Sequence, residues 1–334
     1  MKHKILFGAL CASAALLSSC NEEDIVKMPH AVGDEIVFGA RAGFENADNS
    51  SSRTVYSGET YHVGEKIFER IDWEPDFDKV QIYCPQADAT KKTVNYTVTG
   101  AVTPDNEKSY STLTKSASEV RGLQWGSDDE HTFYAMYPSA EMLAQGSEEY
   151  IKMKEKNILG YIPPIQEADI KKTTNGYVIK PDMNFAYMAA KNSEYRTSGD
   201  AVNLTFYPLV TAIEMTLTLD EGSPNQSMPL SSITISTEDA AIAGSFEYNL
   251  DSQKLTIYGE EAYSFITINI PKNGIKPTTL QKGQSITFTL FLIHENTIED
   301  LTLTIVNGKG SFSKVLDNIN IIPYTKHIIK GLKL

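Results

Sequence analysis

The chain has 334 residues, 41% of them apolar, and carries 43 acidic against 30 basic side chains, a formal net charge of −13. That length holds about two domains, and an acidic chain without a basic cluster is a poor ligand for nucleic acid or anionic lipid head groups. Its three cysteines, Cys11, Cys20 and Cys84, are too few and too unevenly placed for a disulfide framework, so the fold must rest on its hydrophobic core.

Lys2 and Lys4 open a short basic region, residues 5–17 ("ILFGALCASAALL") form an apolar stretch too short to span a bilayer, and Ser18, Ser19 and Cys20 complete a small-residue cleavage site. "LSSC" resembles the lipobox of bacterial lipoproteins, which makes residues 1–19 a lipoprotein signal peptide and Cys20 the lipidated first residue of the mature chain. An ordinary secretory signal that happens to end in cysteine is the alternative. Acyl chains contribute about 0.8 kcal/mol per buried methylene, enough in pairs to anchor a protein stably. "NEED" (21–24) resembles the acidic export tag of Bacteroidetes lipoproteins, or is simply a solvated linker; residues 20–34 read as a tether. The expected location is the outer face of the cell outer membrane.

Beyond the tether, period-two alternation dominates. The earlier half has strands at "EIVFGA" (35–40), "KVQIYC" (79–84), "TVNYTVTG" (93–100) and "HTFYAMYP" (131–138), with a helix expected within 139–156. In "AVNLTFYPLVTAIEMTLTLD" (201–220), Pro208 interrupts the alternation and implies a bulge or an edge. Short strands recur through 231–316, and "PYTKHIIKGLKL" (323–334) closes the chain, with Tyr324, Ile328, Leu332 and Leu334 read on one face. Regular strands with almost no helical pattern indicate an all-β protein of sandwich or barrel type. The expectation is two β domains in tandem, residues 35–190 and 200–334, with a boundary near 186–200.

Catalytic chemistry is scarce. The six histidines form no close pair, so a zinc site has no support, and there is no GxSxG, phosphate-binding glycine loop or CxxC. Cys84 in a strand reads as a buried, inert thiol. The acidic runs at 128–130 and 299–300 read as turns rather than calcium or glycosidase sites. Trp73 and Trp125 read as core, with stacking on a sugar as the alternative. The chain is therefore expected to be no enzyme, and to need no cofactor and no metal.

Seven segments in order resemble the fimbrillin family, the subunits of Bacteroidales type V pili: "EIVFGA" followed by "SRT" (52–54), "IDWEPDFDKVQIYCP", "HTFYAMYPS", "IPPIQ" (162–166), "MNFAYMAA", "VNLTFYPLVTAIEMTLTL" and "AAIAGSFEYN". Tyr207 and Pro208 stand where the family usually has a histidine and its neighbour. The resemblance implies two tandem transthyretin-like β-sandwich domains and assembly by strand exchange. In the family's major pilins a trypsin-like protease cuts after an arginine in the loop behind the first strand, and a strand of another subunit fills the groove left behind; the resemblance implies the same here.

Mapped on this chain, the removable strand would be "EIVFGA", with Ile36 and Phe38 on its buried face. The candidate cleavage sites are Arg41 and Arg53, read in the loop that follows it. The carboxy-terminal strand bearing Tyr324, Ile328, Leu332 and Leu334 would either be donated or complete its own domain. The partners implied are other fimbrial subunits in a homo- or hetero-polymer, the outer membrane through the lipid, and a host or bacterial surface receptor. The alternative is a non-polymerising surface lipoprotein that serves as pilus anchor, tip adhesin or glycan-binding module.

Overall fold

The computed structural model describes residues 28–46, 56–63, 66–88, 90–100, 110–142, 152–167, 169–259, 262–270, 278–308 and 310–334. Cys20 and Arg53 lie outside the described residues. Helical structure among the described residues is confined to three-residue 3-10 turns at Ala140–Met142, Met183–Phe185 and Arg196–Ser198. The all-β expectation is met. Of the helix expected within 139–156 only the first of these turns is described, and Lys152–Lys154 pairs instead with Asn157–Ile162 in a hairpin.

The first strand runs from Phe38 to Asn46, later and longer than the 35–40 span expected. Its alternation explains why it is held: Phe38, Ala40 and Ala42 are buried while Val37 is exposed. Along one edge, Phe38–Ala42 pairs in parallel with Val202–Phe206. Along the other, Phe38–Ala40 pairs antiparallel with Leu113–Ser111. The strand 202–208 then pairs with 188–195, which pairs with 130–137, and the path continues through 79–83, 93–98 and 111–115 back to the first strand. These seven strands form a ladder that closes on itself. Closure removes sheet edges altogether.

The tail of the first strand reaches beyond that ring. Ala42–Glu45 pairs antiparallel with Ile71–Phe68, and Glu45 and Asn46 stand opposite Thr325 and Lys326 of the last strand, Thr325–Lys333. The last strand lies parallel to Thr211–Thr218, which pairs antiparallel with Ser285–Leu292. A separate sheet is built on Ser232–Ser236, between Phe265–Asn269 and Leu301–Asn307.

The pairing does not respect a division at 190–200. Strands 157–162 and 176–180 join 244–249 and 285–292 of the carboxy-terminal half, while 202–208 belongs to the amino-terminal ring. Pro208 is neither a bulge nor an edge: it ends one strand, and the chain turns through Leu209 and Val210 before the next begins at Thr211. Residues 28–34, read as tether, are docked rather than free. His30 stacks on Trp125 with ring centres 5.2 Å apart, its N–H donates to Arg196 O at 3.0 Å, and Gly33 N donates to Trp125 O at 2.8 Å. Buried apolar residues from Ile36 to Leu332 form one connected core.

Because Phe38 is 1% exposed and Val37 is 57% exposed, truncating each side chain separates burial from strand pairing. Phe38→Ala is expected to cost about 3–5 kcal/mol of folding free energy, and Val37→Ala no more than about 0.5 kcal/mol, read from urea denaturation midpoints.

Candidate functional site: the slot of the first strand

The slot occupied by the first strand is shaped residue by residue. Phe38 enters an aromatic pocket, edge-on to Tyr96 at 5.1 Å and to Phe133 at 5.3 Å. Tyr96 is itself fixed, because its hydroxyl accepts the Leu123 N–H at 2.7 Å. Ile36, also buried, is tied in by its N–H to Leu123 O at 2.8 Å. At Gly39 a Cβ atom would stand 2.6 Å from Asn203 Oδ1 and 2.9 Å from Tyr110 Cβ, so the slot has no room there for a side chain. Ala40 and Ala42 fill positions with no exposure at all.

Arg41 is not in a loop. It lies inside the strand opposite Thr205, its Nε donates to Thr205 Oγ1 at 3.0 Å, and its guanidinium sits over the Tyr110 ring at 4.9 Å. A backbone paired within a sheet cannot enter a protease cleft without leaving it first. The strand continues past Arg41 to Asn46, so the expectation of an accessible bond there is corrected.

The last strand, against which the tail of the first strand rests, begins in a buried polar network. His294 Nδ1 donates to Asn296 O at 2.6 Å, which leaves Nε2 to accept from the Thr211 hydroxyl at 2.7 Å. Thr211 Oγ1 also accepts the Tyr324 N–H at 3.0 Å. The Ile322 N–H donates to His327 Nε2 at 2.9 Å, and the Thr325 hydroxyl stands 2.8 Å from both Ile322 O and His327 Nε2. Lys326, completely buried, faces Glu214 Oε2 at 3.6 Å. Burial drives the His294 imidazole down to about 4; the bond to Asn296 O opposes this and the neighbouring His327 adds to it.

The reading of Tyr324, Ile328, Leu332 and Leu334 on one face is also corrected. Tyr324 precedes the strand in left-handed backbone (φ 64°). Ile328 lies opposite Glu214, whereas Leu332 lies opposite Leu217 after a register shift. Gly331, at φ 77°, supplies the extra residue of a bulge, and one inserted residue turns every later side chain to the other face.

The other singled-out residues are structural. Trp73 and Trp125 are 7% and 0% exposed, and Trp73 packs edge-on against Tyr137 and Phe206. Cys84 is buried, and burial pushes its thiol up to about 11. Asp129 and Asp300 serve turns, the first 3.5 Å from Arg196 and the second accepting the Asn318 N–H. A cleft of about 390 Å³ is lined by Trp73, Phe77, Asp78, Tyr137 and Asp182 among others. Burial raises the Asp78 carboxyl, which is engaged by the Tyr137 hydroxyl and the Glu74 N–H. Among the described residues no three histidine, cysteine or acidic side chains stand together as a metal site.

The sequence reading missed the partners that give the slot its shape, Asn203, Thr205 and Tyr110. The alternation of small residues at 40 and 42 was the one signal that something packs closely there.

No family model matches the chain, and no curated protein sequence does. Solved structures do. A candidate cell adhesion protein from Bacteroides uniformis superposes with a TM-score of 0.51 at 14% identity, covering 90% of this chain and 92% of that one. Another from Bacteroides ovatus gives 0.50 at 13% identity, covering 90% and 93%. The chain shares their fold.

The folded protein takes up the His294 proton only near pH 4, whereas an unfolded histidine does so near 6.5. The unfolded state therefore binds more protons in between. The contribution is complete above about pH 6.5 and is lost as pH falls to about 4, on the order of 3 kcal/mol across that window. Urea midpoints measured from pH 4 to 7 are expected to fall with pH in the natural protein, and His294→Gln is expected to flatten that slope.

Proposed function

We propose that the protein is a structural subunit of a cell-surface fimbrium, exported as a lipoprotein through Cys20 and joined to other subunits by strand exchange. The observation that carries this reading is the double edge of the first strand: Phe38–Ala40 is paired on both sides, and the tail reaches the last strand. Its departure leaves two unpaired edges and an apolar groove together, a site that a strand from another chain fills. The likeness to candidate cell adhesion proteins supports a surface role, and the two halves of the chain correspond on this reading to the paired transthyretin-like domains of fimbrillins.

Arg53 is the better cleavage site. A cut after Arg41 divides the strand and leaves 42–46 in the slot, whereas a cut after Arg53 frees the whole of it. The last strand completes its own half rather than being donated, because its withdrawal would take Lys326 from the buried Glu214 and the Tyr324 N–H from the buried Thr211. The glycan-binding alternative loses its nominated aromatics, since both tryptophans are core.

Filaments sheared from cells and probed with an antibody to residues 200–334 are expected to give a ladder without heating. On heating it should collapse to one band lighter than the lipoprotein, of a mass that starts at residue 54. A single full-length band that stays with the membrane would instead identify a non-polymerising lipoprotein. The natural protein is expected to take up palmitate label and Cys20→Ala to lose it; no label on the natural protein would remove the lipoprotein reading, and label retained by Cys20→Ala would move the acylation to another residue.

A further inference from the structure

Resting on the strand-exchange reading, we infer that the slot selects its occupant by sequence, and that the occupant comes from a different protein. The order it reads is aromatic, glycine, small, basic, small, running parallel to 202–206. Four features of the slot set that order. The pocket at position 38 is walled by Tyr96 and Phe133 and closed to solvent, so it takes a ring. Position 39 lies against Asn203 and Tyr110 at distances that no Cβ tolerates. Positions 40 and 42 are fully buried and already filled by a methyl group, so longer side chains overpack them. Position 41 offers an acceptor, Thr205 Oγ1, beside the face of Tyr110, a site for a basic group. The order has no symmetry, so it also fixes direction: a reversed strand puts its ring where Ala42 sits.

The rest of the mature chain cannot supply this strand. Aromatic–glycine pairs recur only at Trp125–Gly126 and Tyr258–Gly259, and acidic residues stand where the basic one is needed, at Asp128 and Glu261. The last strand fits worse. Setting Gly331 and Lys333 at positions 39 and 41 drives Lys330 into the aromatic pocket and Leu332 and Leu334 into the two methyl-sized positions. A charged group in such a pocket lacks any partner. The subunit, cut and emptied, is therefore built to join a different chain rather than its own copies.

The test uses the mature chain with a specific protease site inserted between Asn49 and Ser50, cut and held in mild urea to let strands exchange. Labelled synthetic peptides are then offered and their retention measured by gel filtration. The peptide of residues 35–46 is expected to be retained, while its Gly39→Val and Phe38→Ala forms and the peptide of residues 324–334 are retained at least tenfold less. Equal retention of the Gly39→Val or the 324–334 peptide, or polymerisation of the cut protein by itself, overturns the selectivity. If the cut protein keeps its β circular dichroism but retains no peptide at all, strand exchange itself fails. Should cutting unfold the chain, the uncut Gly39→Val variant decides: a clear fall in melting temperature relative to Val37→Ala supports the closed position at 39, and an unchanged one overturns it.

Discussion

Everything in this fold depends on a strand hydrogen-bonded along both edges. Phe38–Ala42 is the stave that closes a ring of seven strands, and Ala42–Asn46 continues into pairing with 66–71 and with the last strand. A ring without edges presents no row of unpaired amides. The same geometry makes the ring wholly dependent on one segment at the start of the chain. Side chains reinforce the dependence, since Phe38 packs edge-on against both Tyr96 and Phe133, and Ala40 and Ala42 fill fully buried positions with a single methyl group each.

The polar seam at 322–327 plays a complementary part. Thr211, His294, Thr325 and His327 exchange hydrogen bonds where water is excluded, and the Lys326–Glu214 pair is sealed nearby. Such groups add little net stability when satisfied and cost much when one partner is withdrawn. Their effect is to fix register: a last strand slipped by one residue would set Lys326 against apolar neighbours.

Much of this was legible in the sequence, for reasons particular residues show. Period-two alternation gave the strand at 79–83, whose buried and half-buried residues alternate throughout, and gave 130–137 and 211–218 from the one end of each that alternates, the remainder being buried on both faces. Ile36 and Phe38, set on a buried face through the fimbrillin resemblance, are buried. Three things were hidden. The length of the first strand was masked by Arg41 and Gly43, which read locally as loop and are strand because Thr205 and Arg70 pair with them. The crossing of strands between the two halves is a matter of long-range pairing, to which local alternation is blind. The bulge at Gly331 lies in a run that alternates acceptably in either phase, so only the neighbouring strand reveals where the phase changes.

Pairing on both edges also determines how the molecule answers to force. Ladder bonds cross the strand direction, nearly at right angles on its antiparallel edge and aslant on its parallel one. A pull on the amino-terminal end is directed along the first strand, so the bonds on its two sides are sheared together instead of being peeled apart in succession. A tether at that end would therefore draw on the strand in its most resistant direction. The segment whose loss opens the ring is, until it is cut, the part best placed to carry tension.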